Sequence, residues 1–161
     1  MYMKKITATD VYGKEYTISV DNLSQSVHVY GIAKNDEKVL ILPQYDGYNF
    51  PGGTREAGET HHETLKREFF EETGLTVENG QLLAIYDSFY HDPDYDISEQ
   101  SLLIFYTVEI TGGEISDQGF DEAEKKFAKK AQWKTLAELR QMRLTMNVDI
   151  ADELLTIAED L

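Results

Sequence analysis

The sequence contains no cysteine and only three prolines among its 161 residues. Without cysteine, the chain has no disulfide bonds, no thiol nucleophile and no thiolate zinc centre. No apolar run approaches the roughly 18 residues that would indicate a membrane-spanning helix. The N-terminus also lacks the apolar core of a signal peptide. We therefore expect a cytoplasmic protein that does not span or bind a membrane.

Basic residues are scarce. The chain has 15 Lys and Arg residues against 30 Asp and Glu residues, a formal net charge of -15. Binding to nucleic-acid polymers depends largely on neutralisation of phosphates by Lys and Arg, so this charge argues against DNA and RNA as partners. It does not exclude small phosphorylated substrates, which arrive together with Mg²⁺.

The length is that of one domain with a substantial core, which we place at 1–161. Apolar patterning predicts mixed strands with helices on each side, an α/β fold of the α/β/α sandwich type. Residues 1–23 are expected to form a hairpin extension. The other predicted strands are 27–33, 38–43, 81–90 and 101–110, with a last short one at Trp133 and a turn at 112–113. The predicted helices are 60–73, 136–142 and 147–158.

One helix is marked especially clearly. Thr60 and Glu63 have the spacing of a capping box, which indicates a helix start. Gly74 supplies the stop, because glycine enters the left-handed conformation without a Cβ penalty. A glycine-rich loop around Gly53 precedes this helix.

Carboxylates crowd one strip of that helix. Glu68, Glu71 and Glu72 lie three and four residues apart, a spacing at which like charges cost about 0.2–0.5 kcal/mol per pair. Arg67 can neutralise part of this charge through its planar guanidinium. Clustered oxygen ligands without cysteine suit hard cations, so the pattern favours Mg²⁺ or Mn²⁺ as the counter-ion.

The same segment resembles a known family motif. The Nudix box reads Gly-x5-Glu-x7-Arg-Glu-U-x-Glu-Glu-x-Gly-U, where U is a bulky apolar residue, and residues 53–75 fill every defined position. The matching residues are Gly53, Glu59, Arg67, Glu68, Phe69, Glu71, Glu72, Gly74 and Leu75. By this resemblance the chain is identified as a member of the Nudix (MutT-like) hydrolase family, whose fold is also an α/β/α sandwich.

The resemblance implies a metal-dependent hydrolase that cleaves the pyrophosphate bond of a nucleoside diphosphate linked to another moiety. It implies metal binding and base formation by Glu68, Glu72 and Glu71, with the Gly52 carbonyl as a further ligand. Glu59 and Arg67 would order the loop and helix. The substrate could be a nucleoside triphosphate, ADP-ribose, a nucleotide sugar or a dinucleoside polyphosphate, and a homodimer is common in the family.

Other features of the chain offer no competing catalytic set. Neither a Gly-x-Ser-x-Gly motif nor a P-loop occurs. The acidic stretch 92–99 fails the EF-hand template, since Ile97 stands where glycine is needed. We expect it to be a solvated loop, with a loop that closes over substrate as the alternative.

Several residues outside the helix could contact the substrate. Arg55 could contact a phosphate, and Tyr45, Tyr48 or Phe50 could stack on a base. The alternatives are that Arg55 faces water and that the aromatic ring packs in the core. Glu122, or less favourably Glu124, could supply an additional acidic group, although that charged run also suits a solvated face.

Two further functions stay open at this point. The first is a nucleotide-sensing Nudix domain without turnover, and the second is a structural or partner-binding protein that retains the box. The intact glutamates favour the hydrolase over both. The residues do not identify the substrate, because side chains outside the box select it.

Overall fold

The computed structural model describes residues 4–161 and has a mixed sheet flanked by helices. Its strands are β1 (Lys5–Thr9), β2 (Glu15–Ser19), β3 (Leu23–Ile32), β4 (Lys34–Asn35), β5 (Lys38–Gln44), β6 (Gly47–Asn49), β7 (Gly52–Thr54), β8 (Leu75–Asp92), β9 (Ile97–Gly113) and β10 (Gln132–Thr135). Its helices are α1 (His61–Thr73), α2 (Leu136–Leu139) and α3 (Ala151–Glu159). None of the described helices is long and apolar enough to cross a membrane.

The main sheet has six strands in the order β2-β1-β8-β9-β3-β7. Strand β3 runs parallel to β9, whereas β8 and β9 form a long antiparallel hairpin. A smaller group joins β10, β5 and β4, with β6 paired to β5. The mixed sheet confirms the predicted α/β class.

Two apolar clusters lie on the two sides of the sheet. On one side α1 contributes Leu65 and Phe69 to a cluster with Val29 of β3. On the other side α2 and α3 contribute Leu139 and Leu154 to a cluster with Tyr30, the next residue of β3. Successive strand residues point to opposite faces, so β3 is buried on both sides and the helices form the outer layers.

Helix α1 has the predicted boundaries. The Thr60 side chain accepts a hydrogen bond from the Glu63 N–H, and the Glu63 side chain accepts one from the Thr60 N–H. Gly74 ends the helix in the left-handed conformation with φ 75°. Helix α1 packs closely against β3: a Cβ on Gly31 would stand 3.0 Å from the Phe69 ring.

The N-terminal hairpin is present as β1 and β2, and it continues the main sheet through the pair Thr9 and Tyr90. Residues 1–3, which the prediction included, lie outside the described residues. The Asp10 carboxylate accepts hydrogen bonds from the N–H groups of Tyr12 and Lys14, which closes the turn.

Several predicted boundaries were wrong. Strands β8 and β9 extend well beyond 81–90 and 101–110, because register shifts between Thr76 and Ala84 carry the pairing past the turn-like residues 78–80. Gly112 and Gly113 pair with Leu75 and Thr76 as the end of β9, and only Gly113, with φ 87°, begins the turn.

The C-terminal helices are shorter than predicted. Helix α2 is a single turn, and α3 begins at Ala151 rather than at residue 147. Asn147 instead makes tertiary contacts: its side chain donates to the Phe89 carbonyl and its carbonyl accepts from the Thr9 hydroxyl. Those long-range bonds compete with helix formation at this position.

The acidic stretch 92–99 forms the tight turn of the β8–β9 hairpin, where Asp92 pairs with Ile97. The Asp92 carboxylate accepts hydrogen bonds from the N–H groups of Asp94 and Tyr95. Residues 93–96 are exposed, as predicted for a solvated loop. The prediction was wrong for Ile97, Ser98 and Glu99, which belong to β9, where Ser98 is buried.

Candidate active site

The glycine loop brings the backbone close to the helix carboxylates. In β7, Gly52 and Gly53 pair with Tyr30 and Val29 of the buried strand β3. A Cβ on Gly53 would lie 2.5 Å from Glu68 Oε2. Glycine at this position leaves room for the Glu68 carboxylate over the loop, where a Cβ would force that carboxylate or the loop to shift.

Gly52 has a different task. Its backbone adopts φ 148°, and its N–H donates a 2.8 Å hydrogen bond to Glu72 Oε2. This bond fixes one carboxylate oxygen of the helix at the end of the loop. The predicted role of the Gly52 carbonyl as a metal ligand stays a prediction.

Arg67 ties the loop to the helix. Its Nε and Nη2 donate to Glu59 at 2.6 and 2.9 Å, and Nη2 also donates to the Thr54 carbonyl at 3.1 Å. Its Nη1 donates to Glu68 at 2.7 Å and to Glu71 at 3.3 Å. One guanidinium thus holds three carboxylates, and a fork of this kind is not reproduced by lysine.

Glu59 and Arg67 form the best-satisfied ion pair of the site. The Glu59 carboxylate also accepts from the Glu56 N–H and the Thr64 hydroxyl. The hydrogen bonds from Arg67 are the main reason that the pKa of Glu59 falls to about 2. This pair therefore carries the loop-ordering role that the sequence predicted for both residues.

Negative charge is under-compensated at the other end of the helix. Burial raises the pKa of Glu72 well above its ordinary value, and repulsion from Glu68, Glu124 and Glu71 adds to this, against the hydrogen bond from Gly52. Burial likewise raises the pKa of Glu68 despite Arg67. The pKa of Tyr30 is raised by burial and by the charges of Glu72 and Glu68.

This donor set fits a hard divalent cation. Every candidate ligand is an oxygen, and a cation would relieve the repulsion that raises the pKa values of Glu68 and Glu72. Within residues 4–161, no three carboxylate or imidazole side chains converge in a ready-made cage. The side chain of Glu68 is instead engaged by Arg67, so the site is built from carboxylates that must turn toward the ion.

A cavity of about 240 Å³ adjoins the box at Tyr30, which lines the cavity and pairs with Gly52 of the loop. Its lining also includes His28, Asn49, Glu99, Tyr45 and Phe127. The Tyr45 and Phe127 rings are stacked, with centroids 4.8 Å apart and planes 1° apart. The Tyr12 ring meets Tyr45 edge-on, with centroids 6.2 Å apart. Tyr45 remains 43% exposed, so part of its ring is accessible to a base.

The prediction that Tyr48 stacks on a base was wrong. Its ring is 0% exposed and packs edge-on against Phe50 in the core, so no base can reach it. The reason is the alternation of β6, which directs Tyr48 inward while Tyr45 precedes the strand. Phe50 is buried as well, at 1% exposure. Of the three predicted stacking residues only Tyr45 keeps an accessible ring, and it stacks on Phe127, which the prediction did not include.

The choice between the two acidic residues after β9 is also corrected. The Glu122 side chain is 90% exposed and forms an ion pair with Lys125 at 2.6 Å. Glu124 is the residue whose charge acts on both Glu68 and Glu72. The structure therefore favours Glu124, the less favoured alternative, as the additional acidic group.

Arg55 is exposed and has no ion-pair partner among residues 4–161. Its N–H donates to the Val27 carbonyl, and its side chain lines a second cavity of about 580 Å³ at the edge of β3. A phosphate contact by Arg55 stays a prediction, which this free guanidinium supports.

Sequence reasoning missed several residues of the adjoining cavity. Tyr30, Asn49, Glu99 and Phe127 belong to no local motif. The parallel pairing of β3 with β9 brings residues more than 70 positions apart into one cavity, as with His28 and Glu99. No periodic pattern in a single sequence carries that information.

Comparison with known proteins assigns the family. The family model described as the NUDIX domain matches residues 23–155. An ADP-ribose pyrophosphatase of Methanocaldococcus jannaschii is 32% identical over 138 residues, covering 76% of this chain and 79% of the relative.

Solved structures agree with this assignment. The crystal structure of a MutT protein from Bacillus halodurans is 30% identical, with a TM-score of 0.59 and 74% of each chain covered. An ADP-ribose pyrophosphatase from Streptococcus suis is 19% identical with a TM-score of 0.59, covering 85% of this chain and 92% of its own, and it supports the fold alone. Nudix hydrolases generally use a divalent metal and act on small nucleotide substrates. The chain therefore belongs to the Nudix family and is a Nudix pyrophosphohydrolase, an enzyme that acts on phosphoric anhydrides.

Proposed function

We propose that this enzyme hydrolyses the pyrophosphate bond of a nucleoside diphosphate linked to a second moiety, with Mg²⁺ or Mn²⁺ as cofactor. ADP-ribose is the first candidate substrate, because the relative from Methanocaldococcus jannaschii is an ADP-ribose pyrophosphatase. In that reaction the oxygen of water bonds to one phosphorus while the bridging P–O bond breaks. The products are two phosphomonoesters, AMP and ribose 5-phosphate.

One observation carries the proposal. Glu72 is held by the Gly52 N–H at the end of the loop, and burial together with three neighbouring carboxylates raises its pKa. A protein that needed only a stable helix end would place a basic residue there, yet α1 has none in its last turn. Uncompensated carboxylate charge favours binding of a cation, and the cation can in turn bind a polyanionic substrate.

The residues of the chain divide into a holding group and a positioning group. Glu68, Glu72 and Glu71, with the Gly52 carbonyl, would hold the cation. When bound, it supplies charge neutralisation on the phosphate oxygens and a water of lowered pKa. Arg67 and Glu59 fix the loop against the helix, and a free carboxylate of the cluster accepts the proton of the attacking water.

The adjoining cavity suits the nucleoside. A base stacked on the exposed face of Tyr45 would gain about 1–3 kcal/mol, the range for base–aromatic stacking. Asn49 and Tyr30 line the same cavity, and Tyr30 pairs with Gly52 of the loop. The nucleoside would therefore project away from the carboxylates while its phosphates meet them.

The test is a substrate panel assayed with Mg²⁺ or Mn²⁺. It contains ADP-ribose, nucleotide sugars, dinucleoside polyphosphates and nucleoside triphosphates, and compares wild type with Glu72→Gln. Glu78→Gln is the matched control, since Glu78 is an exposed glutamate paired with Lys66 outside the site. We expect turnover by wild type and the control, with a loss of orders of magnitude in Glu72→Gln.

The second candidate function is the nucleotide sensor. Ligand binding without turnover of any compound in the panel would favour it, whereas near-normal activity of Glu72→Gln would mean that the site lies elsewhere. The homodimer and the cytoplasmic location stay predictions; light scattering of the purified chain would test the first.

A further inference from the structure

A polar network that the box does not use lies between the two cavities. The Glu99 carboxylate is 3.4 Å from His28 Nε2, and its Oε2 accepts a 3.1 Å hydrogen bond from the Ser101 hydroxyl. Ser26 completes the network by donating to Ser101 at 2.9 Å and lying 3.0 Å from His28 Nε2. Glu99 and Ser101 line both cavities.

The network holds Glu99 ionised and leaves one of its oxygens available. The hydrogen bond from His28 is the main reason that the pKa of Glu99 lies below its ordinary value. Within residues 4–161, the hydrogen bond and the ion pair to this carboxylate both engage Oε2, and the side chain keeps 24% of its surface exposed. Oε1 can therefore accept a hydrogen bond from a ligand in the cavity.

An ionised carboxylate selects the chemistry of its ligand. It accepts hydrogen bonds and donates none, and it repels phosphate. The moiety beside Glu99 must therefore carry O–H or N–H donors and no negative charge. In dinucleotide-binding proteins an acidic residue meets this requirement by accepting from the ribose 2′-hydroxyl.

The position of Glu99 identifies which part of a nucleotide would meet it. Tyr30 connects Glu99 to the box along β3. Its ring stacks on the His28 ring, with centroids 6.4 Å apart, and His28 lies 3.4 Å from Glu99. Tyr30 also pairs with Gly52, whose N–H binds Glu72. Tyr45 and Phe127 line the same cavity as Tyr30 and Glu99. With a base on that aromatic pair and the phosphates at the box, the sugar of the nucleoside lies between them.

We propose that Glu99, oriented by His28 and Ser101, is a specificity-determining residue that accepts a hydrogen bond from the 2′-hydroxyl of the substrate's nucleoside ribose. This inference rests on the proposed function, since it names how that substrate is recognised. The enzyme then discriminates ribonucleotide from 2′-deoxyribonucleotide derivatives.

The test compares kcat/KM for ADP-ribose with that for its 2′-deoxyadenosine analogue. We expect wild type to favour the ribo compound by about 10- to 100-fold, the range that corresponds to one hydrogen bond to a charged group. In Glu99→Ala the ratio should fall to about one, because the acceptor is gone. Glu109→Ala is the matched control, an exposed glutamate on the same strand outside both cavities, and should keep the wild-type ratio.

A binding measurement separates this inference from the proposed function. AMP and 2′-deoxy-AMP contain no pyrophosphate bond, so calorimetric titration with each reports binding even if no substrate is turned over. Tighter binding of AMP by wild type, lost in Glu99→Ala, supports the inference. Equal binding of both by wild type, or a ratio unchanged in Glu99→Ala, overturns it.

Discussion

A single arginine organises the charges of the box. Arg67 contacts Glu59, Glu68 and Glu71 and also the Thr54 carbonyl, so it joins the loop to α1. Glu59 is fully satisfied by this arrangement, whereas Glu72 has no contact with the guanidinium. Arg67 and Glu59, which hold the loop against the helix, are thus distinct from Glu72, whose charge the guanidinium does not neutralise.

The Glu59–Arg67 pair predicts a pH-dependent contribution to stability. The pKa of Glu59 is lowered from 4.5 to about 2 in the folded protein, so its contribution is complete above pH 4.5 and is lost as the pH falls toward 2. Urea unfolding of wild type and Glu59→Gln should give the largest difference in the free energy of unfolding above pH 4.5. That difference should shrink on acidification; a difference independent of pH would show that the pair does not act through its charge.

The role of a residue was predictable where a motif defines it and unpredictable where the role depends on whether the side chain is buried. Box positions such as Glu68 and Glu72 follow from their order in the chain. The predictions for Tyr48 and Glu122 were wrong because the local sequence does not show whether a side chain faces the core, the solvent or the site. Burial of Tyr48 depends on contacts with residues distant in sequence, such as Leu144, which pairs with it.

At the scale of elements, the junction of β7 with α1 is the critical one. The two elements approach so closely that the Glu68 carboxylate lies over the backbone of Gly53. The N–H of Gly52 meets Glu72 at the same junction. The loop geometry and the carboxylate positions are therefore coupled.

Gly53→Ala tests that coupling. Its Cβ would lie 2.5 Å from Glu68 Oε2, so either the loop or the carboxylate must move. We expect turnover to fall by roughly 100-fold, the order found when reacting groups are displaced by about 1 Å. Steady-state kinetics, with circular dichroism to verify the fold, provide the measurement.

Gly112→Ala is the control for this substitution. Gly112 lies at the end of β9, where a Cβ would stand 3.1 Å from the Thr76 hydroxyl, away from the box. It should retain wild-type turnover. An unchanged rate in Gly53→Ala would contradict the coupling and indicate an ordinary turn at this position.

Elements with local signals were predicted well, and elements held by tertiary contacts were not. Helix α1 has both its cap and its stop in the sequence, and both are present in the structure. Strand β8 continues through Glu78, Asn79 and Gly80, which read as a turn, because bulges keep the pairing with β9 in place. The start of α3 was misplaced because Asn147 bonds to Phe89 and Thr9 instead of beginning the helix.

At the scale of the whole molecule, the sheet joins parts of the chain that carry different functions. The parallel pairing of β3 with β9 places Glu99 beside His28, and the pairing of β3 with β7 places Tyr30 beside Gly52. Strand β3 thus connects the box to the cavity that we assign to the nucleoside. The fold class was predictable from the sequence, but this juxtaposition depends on strand order, which the sequence did not reveal.

The overall charge agrees with a role on small ligands. A chain of net charge -15 repels polyanions unless cations accompany them. The acidic box concentrates this property at one point, where a cation can attract the phosphates that the rest of the surface repels. Turnover should therefore depend on a divalent cation bound at the box.

The most direct test is the rate of ADP-ribose hydrolysis as a function of free Mg²⁺, measured for wild type and Glu72→Gln under the same conditions. We predict no turnover by wild type in EDTA and a saturable rise with Mg²⁺, while Glu72→Gln stays lower by orders of magnitude. Turnover by wild type that persists in EDTA, or a Glu72→Gln curve that overlies the wild-type curve, would contradict the assignment of the metal site.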